Sequence, residues 1–502
     1  MNVNIVNFGY RRFRYFPVME LFIADALTRL GPNRVRIFTI MIDDNFHDYI
    51  DKIKESGEDS VTIIWETVSS KSVSYIKNAM EFIKTYKREC NIPVMIGGYW
   101  ASTVSKYFEE FAHFDYIIMG YSIEKIAESI NDWERAKKTR SVAAMGQVDW
   151  DGYDINLEYL EDPDKYFHKP SGFLSGYLST FGCPNACGFC FNTVLKNKCE
   201  TDYTERSIEK VKADINILDG YYHFKKIQFK DLNFFYNTDR AFLILDYLKG
   251  RGKTIDGALD ITIKDSSEEI FRKIRDYAIT DLWIGLESFN PDSLKKMDKD
   301  YNPKKVEKVF SWADKYGINL FGNIILGAPW QDREYIEKTI KKSLAVINQH
   351  SHVFIMFNSM RPIVGSPIQE KYFPNSHKDI NFYEMVDVFS FYLDKIQGRF
   401  YSDKFDFINF EKVHNAFWYI NRLKIIENRP YMRMKGFIRG IRKIFEKQLK
   451  PPYFRSKTVG KLLLLNLSQK NKGVRIISWM SSLLQIPGYI RSKCLKNPGN
   501  DK

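Results

Sequence analysis

Three thiols fall within eight positions of the stretch "FGCPNACGFCF" at 181–191: Cys183, Cys187 and Cys190. They are half of the chain's six cysteines, and no fourth stands in the same loop. Three thiolates can hold three irons of a [4Fe–4S] cluster and leave the fourth iron open to a small molecule. Gly182, Pro184 and Gly188 give such a loop its tight turns. Two other readings compete. Cys199 could complete a four-thiol zinc site, although structural zinc favours paired Cys-x2-Cys. Alternatively the thiols pack as small apolar groups, but packing does not demand this spacing. Cys90, Cys199 and Cys494 are scattered without disulfide-like spacing, which predicts a reduced, cytoplasmic chain.

A loop of this kind must be held by something rigid. Over residues 1–132, short Val/Ile-rich runs ("VNIVNFG", "RVRIFTIM", "SVTIIWE", "IPVMIGG", "DYIIMG") alternate with amphipathic stretches such as 18–30 and 72–87. Strands apolar on both faces, joined by helical crossovers, predict a doubly wound parallel sheet. Ligands of such a sheet sit at the carboxyl ends of its strands, here 7–10, 66–70, 97–100 and 120–124. Residues 133–172 are acidic and aromatic without periodicity and are expected to be a linker crossing the surface. A second alternation, 173–372, begins at "FLSGYLS" and contains six strand–helix units, which predicts a partial parallel barrel. The cysteine triplet directly follows its first strand, at the rim where such barrels place chemistry. Residues 373–502 read as a helical, basic C-terminal region.

On these residues the chain resembles the radical S-adenosylmethionine (SAM) superfamily. The resemblance rests on the Cys-x3-Cys-x2-Cys spacing, with aromatic Phe189 before the last cysteine. Strand ends "FKDLNFF", "IGLESFN" and "GNIILGAPWQD" are similar to those of members with an N-terminal cobalamin-binding domain. The resemblance implies a [4Fe–4S] cluster on Cys183, Cys187 and Cys190 whose open iron binds SAM. It also implies a reducing electron donor and a 5′-deoxyadenosyl radical. It places the methionyl group near Asp231 and Asn233, the ribose and methionyl part near Glu287 and Ser288, and the adenine beside 322–329, including Gly322 and Gly327. The competing reading of Asp231 and Glu287 is a pair of solvated loop carboxylates. "MIGGYWAS", with Gly97 and Gly98, is similar to the glycine turn of cobalamin-binding domains, where a flat corrin approaches the backbone. An ordinary tight turn is the alternative there. The Asp-x-His-x-x-Gly motif that supplies an axial histidine is absent, and His47 reads as a surface residue. The position usually Pro-Gly-Thr-Pro reads "VGSP" at 364–367.

The implied activity is cobalamin-dependent methylation of an unactivated carbon. The alternatives are cobalamin-independent radical rearrangement, oxidation or coupling, and a non-catalytic metal-binding module for polyanions. From residue 429 onward eighteen Lys and Arg face only Glu446 and Asp501, a net +16 in a chain of +13 overall. Cations mixed with Leu, Ile and Trp predict contact with an anionic membrane surface or a lipid-linked substrate; a packed helical face is the competing reading. No window is long and apolar enough to span a bilayer. Nucleic acid is not expected as a partner. tRNA methylthiotransferases hold a second cluster in their first domain, and here that domain contains only Cys90.

Overall fold

The computed structural model describes residues 1–375, apart from 10–15, 42, 67–72, 137, 300 and 362, together with 417 and 421. The first lobe is built on strands β1 (Asn2–Gly9), β2 (Arg34–Met41), β3 (Ser60–Glu66), β4 (Val94–Gly98), β5 (Tyr116–Gly120) and β6 (Ser141–Ala144). All pair in parallel, in the order β2-β1-β3-β4-β5-β6. Helices α1 (Val18–Leu30), α2 (Phe46–Lys54), α3 (Val73–Glu89), α4 (Tyr99–Thr103), α5 (Ile123–Asn131) and α6 (Trp133–Ala136) make the connections. Val3, Ile5, Ile63 and Val94 have no solvent exposure, as expected of strands covered on both faces.

The segment expected to be a linker is structural instead. β6 lies inside it and extends the first sheet beyond residue 132. Trp150, Ile155 and Tyr166 are buried. Arg206, fully buried, donates to the carbonyls of Trp150 (2.7 Å) and Tyr153 (2.9 Å) and pairs with Asp214 (2.6 Å). Its guanidinium lies 4.6 Å from the ring centroid of Phe22 on α1. One arginine therefore ties the first lobe, the connecting segment and the second lobe together.

The second lobe starts with β7 (Phe167–His168), antiparallel to β8 (Phe173–Tyr177), and a two-residue ribbon of β9 (Thr180–Phe181) and β10 (Thr204–Glu205). The parallel strands that follow are β11 (Lys226–Phe229), β12 (Thr254–Ile255), β13 (Leu259–Ile261), β14 (Asp281–Glu287) and β15 (Asn319–Leu326), and after them comes β16 (Val353–Ser359). The run "DGALDITI", read as one strand, holds only the three-residue β13; β12 precedes it and pairs with β11, while β13 pairs with β14. The break falls at Gly257 (φ 85°), and the Phe234 N–H to Asp260 carbonyl bond (3.0 Å) spans the seam. Helices α7 (Phe191–Cys199), α8 (Ile208–Tyr222), α9 (Thr238–Gly250), α10 (Glu268–Lys273), α11 (Pro291–Lys296), α12 (Pro303–Tyr316), α13 (Arg333–Gln349) and α14 (Pro367–Tyr372) alternate with them. Local chemistry sets their bounds. In α12, Asn302 caps the first turn, Pro303 opens it and Gly317 (φ 65°) ends it.

Residues 354–358 belong to a separate compact unit that includes 417 and 421. Within it Phe417 packs edge-on to Phe357, and Asn421 donates to the Ile355 carbonyl (2.7 Å). The basic stretch from 429 lies outside the described residues.

Candidate functional site

The β9–β10 ribbon closes the base of an excursion that contains all three thiols and α7. Gly182 (φ 77°) turns the chain out of β9. Asn192 Nδ2 donates to the Cys183 carbonyl (3.1 Å) and Thr193 Oγ1 to that of Cys187 (2.8 Å), so α7 reaches back to hold the loop. Cys190 is the residue immediately before α7, Cys187 is buried, and Cys183 is half-buried and accepts a 3.6 Å contact from Asn185 Nδ2. Burial pushes the Cys187 thiol up and that of Cys190 to about 12, with the Lys299 ammonium opposing both shifts.

Cys199 is not a fourth ligand of this loop. It lies at the other end of the nine-residue α7, roughly 13 Å from Cys190 at 1.5 Å per residue. Cys199 is fully buried and its carbonyl accepts from Gly146 N–H (2.9 Å). Among the described residues no three His, Cys, Asp or Glu side chains converge on a single metal ion. A cubane cluster does not require such convergence, because each thiolate binds a separate iron. Three thiols on a short glycine-turned loop fit that group.

The strand ends divide into latches and open positions. Asp231, just beyond β11 and buried, accepts from Ser179 N–H (2.8 Å), Ser179 Oγ (3.1 Å), Thr180 N–H (2.5 Å) and Thr180 Oγ1 (2.7 Å). Burial raises its carboxyl against these donors and nearby Arg240. Its oxygens are occupied within the chain, so Asp231 anchors the approach to the cysteine loop and is not a solvated carboxylate. Asn233 differs. Its Nδ2 donates to Asp265 (2.7 Å), while its Oδ1 is buried with no hydrogen-bond partner among the described residues. That orphaned acceptor beyond β11 suits an ammonium such as the SAM amino group.

Glu287 ends β14 at a register shift and takes a left-handed backbone (φ 54°). Its Oε1 lies 3.2 Å from Lys299 Nζ, with both side chains largely buried. Ser288 binds within its own turn, accepting from Asn290 N–H (2.9 Å) and bonding to the Tyr335 hydroxyl. Gly322 lies within β15, opposite Ile284, four residues before the strand's last residue, Leu326. Gly327 (φ 89°) makes the turn just past the strand, its N–H donating to Gln331 Oε1 (2.8 Å). Phe189 packs on the apolar cluster of Met297, Ile325, Ala328, Met360 and Ile368. The sequence reading missed Lys299, Gln331 and Arg206, whose neighbours in sequence carry no motif that marks them.

The carboxyl edge of the first sheet is rich in glycine, since β1, β4 and β5 end in Gly9, Gly98 and Gly120. A flat macrocycle can approach such an edge closely. Gly97 and Gly120 serve internal packing: an added Cβ would lie 2.4 Å from the Trp65 ring and 2.1 Å from the Ala144 carbonyl oxygen. His47 is exposed and pairs with Glu89 (3.1 Å). The two lobes meet beside the cysteine loop. Tyr99 of α4 lies edge-on to Phe191 of α7 at 6.1 Å, and Phe181 contacts Tyr121 and Trp150, each at 5.4 Å. Among the described residues no helix is long and apolar enough to cross a membrane.

Residues 177–342 match the Radical SAM superfamily. The chain is 30% identical over 179 residues to an uncharacterized methyltransferase of Pyrococcus horikoshii, covering 36% of this chain and 38% of that protein. It is 24% identical over 291 residues to the hopanoid C-2 methylase of Rhodopseudomonas palustris, covering 56% and 52%. The chain thus spans about half or less of these relatives. In fold it is similar to the cobalamin-dependent SAM radical enzyme OxsB, whose structure holds aqua-cobalamin and SAM. That likeness has a TM-score of 0.62 at 14% identity and covers 97% of this chain and 75% of that one.

Proposed function

Starting from a chain that carries a radical SAM domain at 177–342, we propose that the protein is a cobalamin-dependent radical SAM methyltransferase acting on an unactivated carbon. The observation that carries this reading is the junction of the lobes. The helix after Gly98 packs on the helix after Cys190, so the Gly98 turn and the cysteine loop lie on adjoining elements. A [4Fe–4S] cluster with SAM supplies a 5′-deoxyadenosyl radical, and cobalamin supplies a transferable methyl group. The chain's own part is to bind and orient. Cys183, Cys187 and Cys190 would hold the cluster, Asn233 Oδ1 would receive the SAM ammonium, and Gly98 would admit the corrin without axial histidine.

The relatives named as methylases support the reaction class, and the hopanoid enzyme extends the substrate proposal to lipid-like acceptors. One observation favours a second reading, radical chemistry without cobalamin: Gly97 is accounted for by Trp65 alone. The test is anaerobic purification with added cobalamin, followed by absorption spectra and turnover with methyl-deuterated SAM. The expected result is a retained corrin and the loss of both 5′-deoxyadenosine formation and iron in each of Cys183→Ala, Cys187→Ala and Cys190→Ala, but not in Cys199→Ala. Turnover by corrin-free protein would favour the second reading. Equal iron loss in Cys199→Ala would refute the three-thiol loop.

A further inference from the structure

Resting on the proposed cluster site, we propose that Lys299 sets how readily a cluster on the cysteine loop accepts its electron, with Glu287 as the counter-charge that holds and moderates it. Gly188, between Cys187 and Cys190, donates its N–H to the Met297 carbonyl (2.9 Å). A Cβ at 188 would lie 2.6 Å from Asp298 Oδ2, so the turn 297–299 sits directly on the loop. Asp298 takes a left-handed backbone (φ 51°), and the Lys299 N–H donates to Leu294 (3.0 Å). This directs the lysine inward, where its ammonium meets Glu287.

The opposite wall is shaped for the same pair. A Cβ at Gly285 would lie 2.3 Å from Glu287 Oε1 and 2.9 Å from Lys299 Nζ. The β14 register shift and left-handed backbone of Glu287 bring its carboxylate to that space. Tyr301 fixes the turn from beyond, donating to the carbonyls of Leu286 (2.5 Å) and Ser288 (3.1 Å). The Lys299 charge acts on both Cys187 and Cys190.

Reduction adds one electron, from a low-potential one-electron donor, to a cluster whose thiolates are already negative. In a buried site a fixed ammonium nearby stabilises the more negative, reduced state, and a carboxylate opposes it. The two residues should therefore move the midpoint potential in opposite directions, a signature that a purely structural ion pair does not produce.

The test is a redox titration followed by electron paramagnetic resonance on anaerobically reconstituted full-length protein without SAM. Lys299→Met should lower the midpoint potential by an amount equal to at least a tenfold change in the reduction constant, about 59 mV for one electron. Glu287→Gln should raise it, Lys299→Arg should stay near wild type, and the double Lys299→Met/Glu287→Gln should lie between the single variants. Unchanged potentials, or shifts of the same sign, at wild-type iron content would overturn the inference. If Lys299→Met fails to retain iron, Glu287→Gln decides alone, and the absence of a rise overturns it. A wild-type protein with no cluster signal at all would instead refute the function proposed above.

Discussion

Glu20 shows how one side chain can carry a pH dependence unrelated to the cysteine loop. It sits in the first turn of α1, almost wholly buried. Its Oε1 accepts from Asn7 Nδ2 (3.1 Å), while its Oε2 has no hydrogen-bond partner. Burial raises the carboxyl to about 7, against the opposing hydrogen bonds from its own backbone and Asn7. Between pH 4.5 and 7 the folded chain keeps a proton that the unfolded chain releases. Stability present below pH 4.5 is therefore lost as pH rises to about 7, by up to about 3 kcal/mol at roughly 1.4 kcal/mol per unit. Glu20→Gln should remove that slope, so the variant gains on wild type at pH 8 and the difference shrinks toward pH 4.5. Urea midpoints at the two pH values measure this; equal midpoint differences at both would refute it. The cysteine triplet was legible in the sequence because its signal is local spacing. Glu20 and Lys299 were not, since nothing in "VMELF" or "KKMDKD" distinguishes a buried charge from a solvated one. Burial of each depends on elements distant in sequence.

Among the elements, the short α4 has the most to lose from a single methyl group. Gly98 precedes it at φ 108° and ψ −161°, a conformation that side-chain-bearing residues rarely adopt. Gly98→Ala should destabilise the first lobe by about 1–3 kcal/mol and tilt α4 away from α7. The expected readout is a lower melting temperature together with a lower corrin-to-protein ratio after gel filtration. Unchanged corrin retention would detach the glycine edge from the proposed function. Strands and helices with strong local signals were legible, as α12 shows through Asn302, Pro303 and Gly317. β6 was hidden because "SVAA" is short and follows the charged "ERAKKTR"; its strand character comes from pairing with β5. β12 was hidden for the same reason: it has two residues and follows "KGRGK", and its strand character comes from pairing with β11.

At the scale of the whole molecule, charge is segregated. The +16 carried from residue 429 onward exceeds that of the entire chain. We propose that this segment brings the protein to anionic lipid. Each basic residue near such a surface contributes about 1 kcal/mol, screened over about 8 Å at physiological salt. Flotation with anionic vesicles should therefore recover the full-length protein at low salt, less of it as salt rises, and little of a chain ending at 428. Failure to float at low salt would leave the packed-helix reading of that segment. The lobes, by contrast, are joined by contacts that ignore the sequence boundary. Arg206 of the second lobe spends its donors on Trp150 and Tyr153, while β6 completes the first sheet from the same connecting stretch. Neither lobe is thus a transferable module. Exchange between relatives at residue 132 would part the first sheet from its own edge strand β6 and Arg206 from the Phe22 ring, so the pair is expected to be inherited as one piece, with variation confined to the loops around the rim.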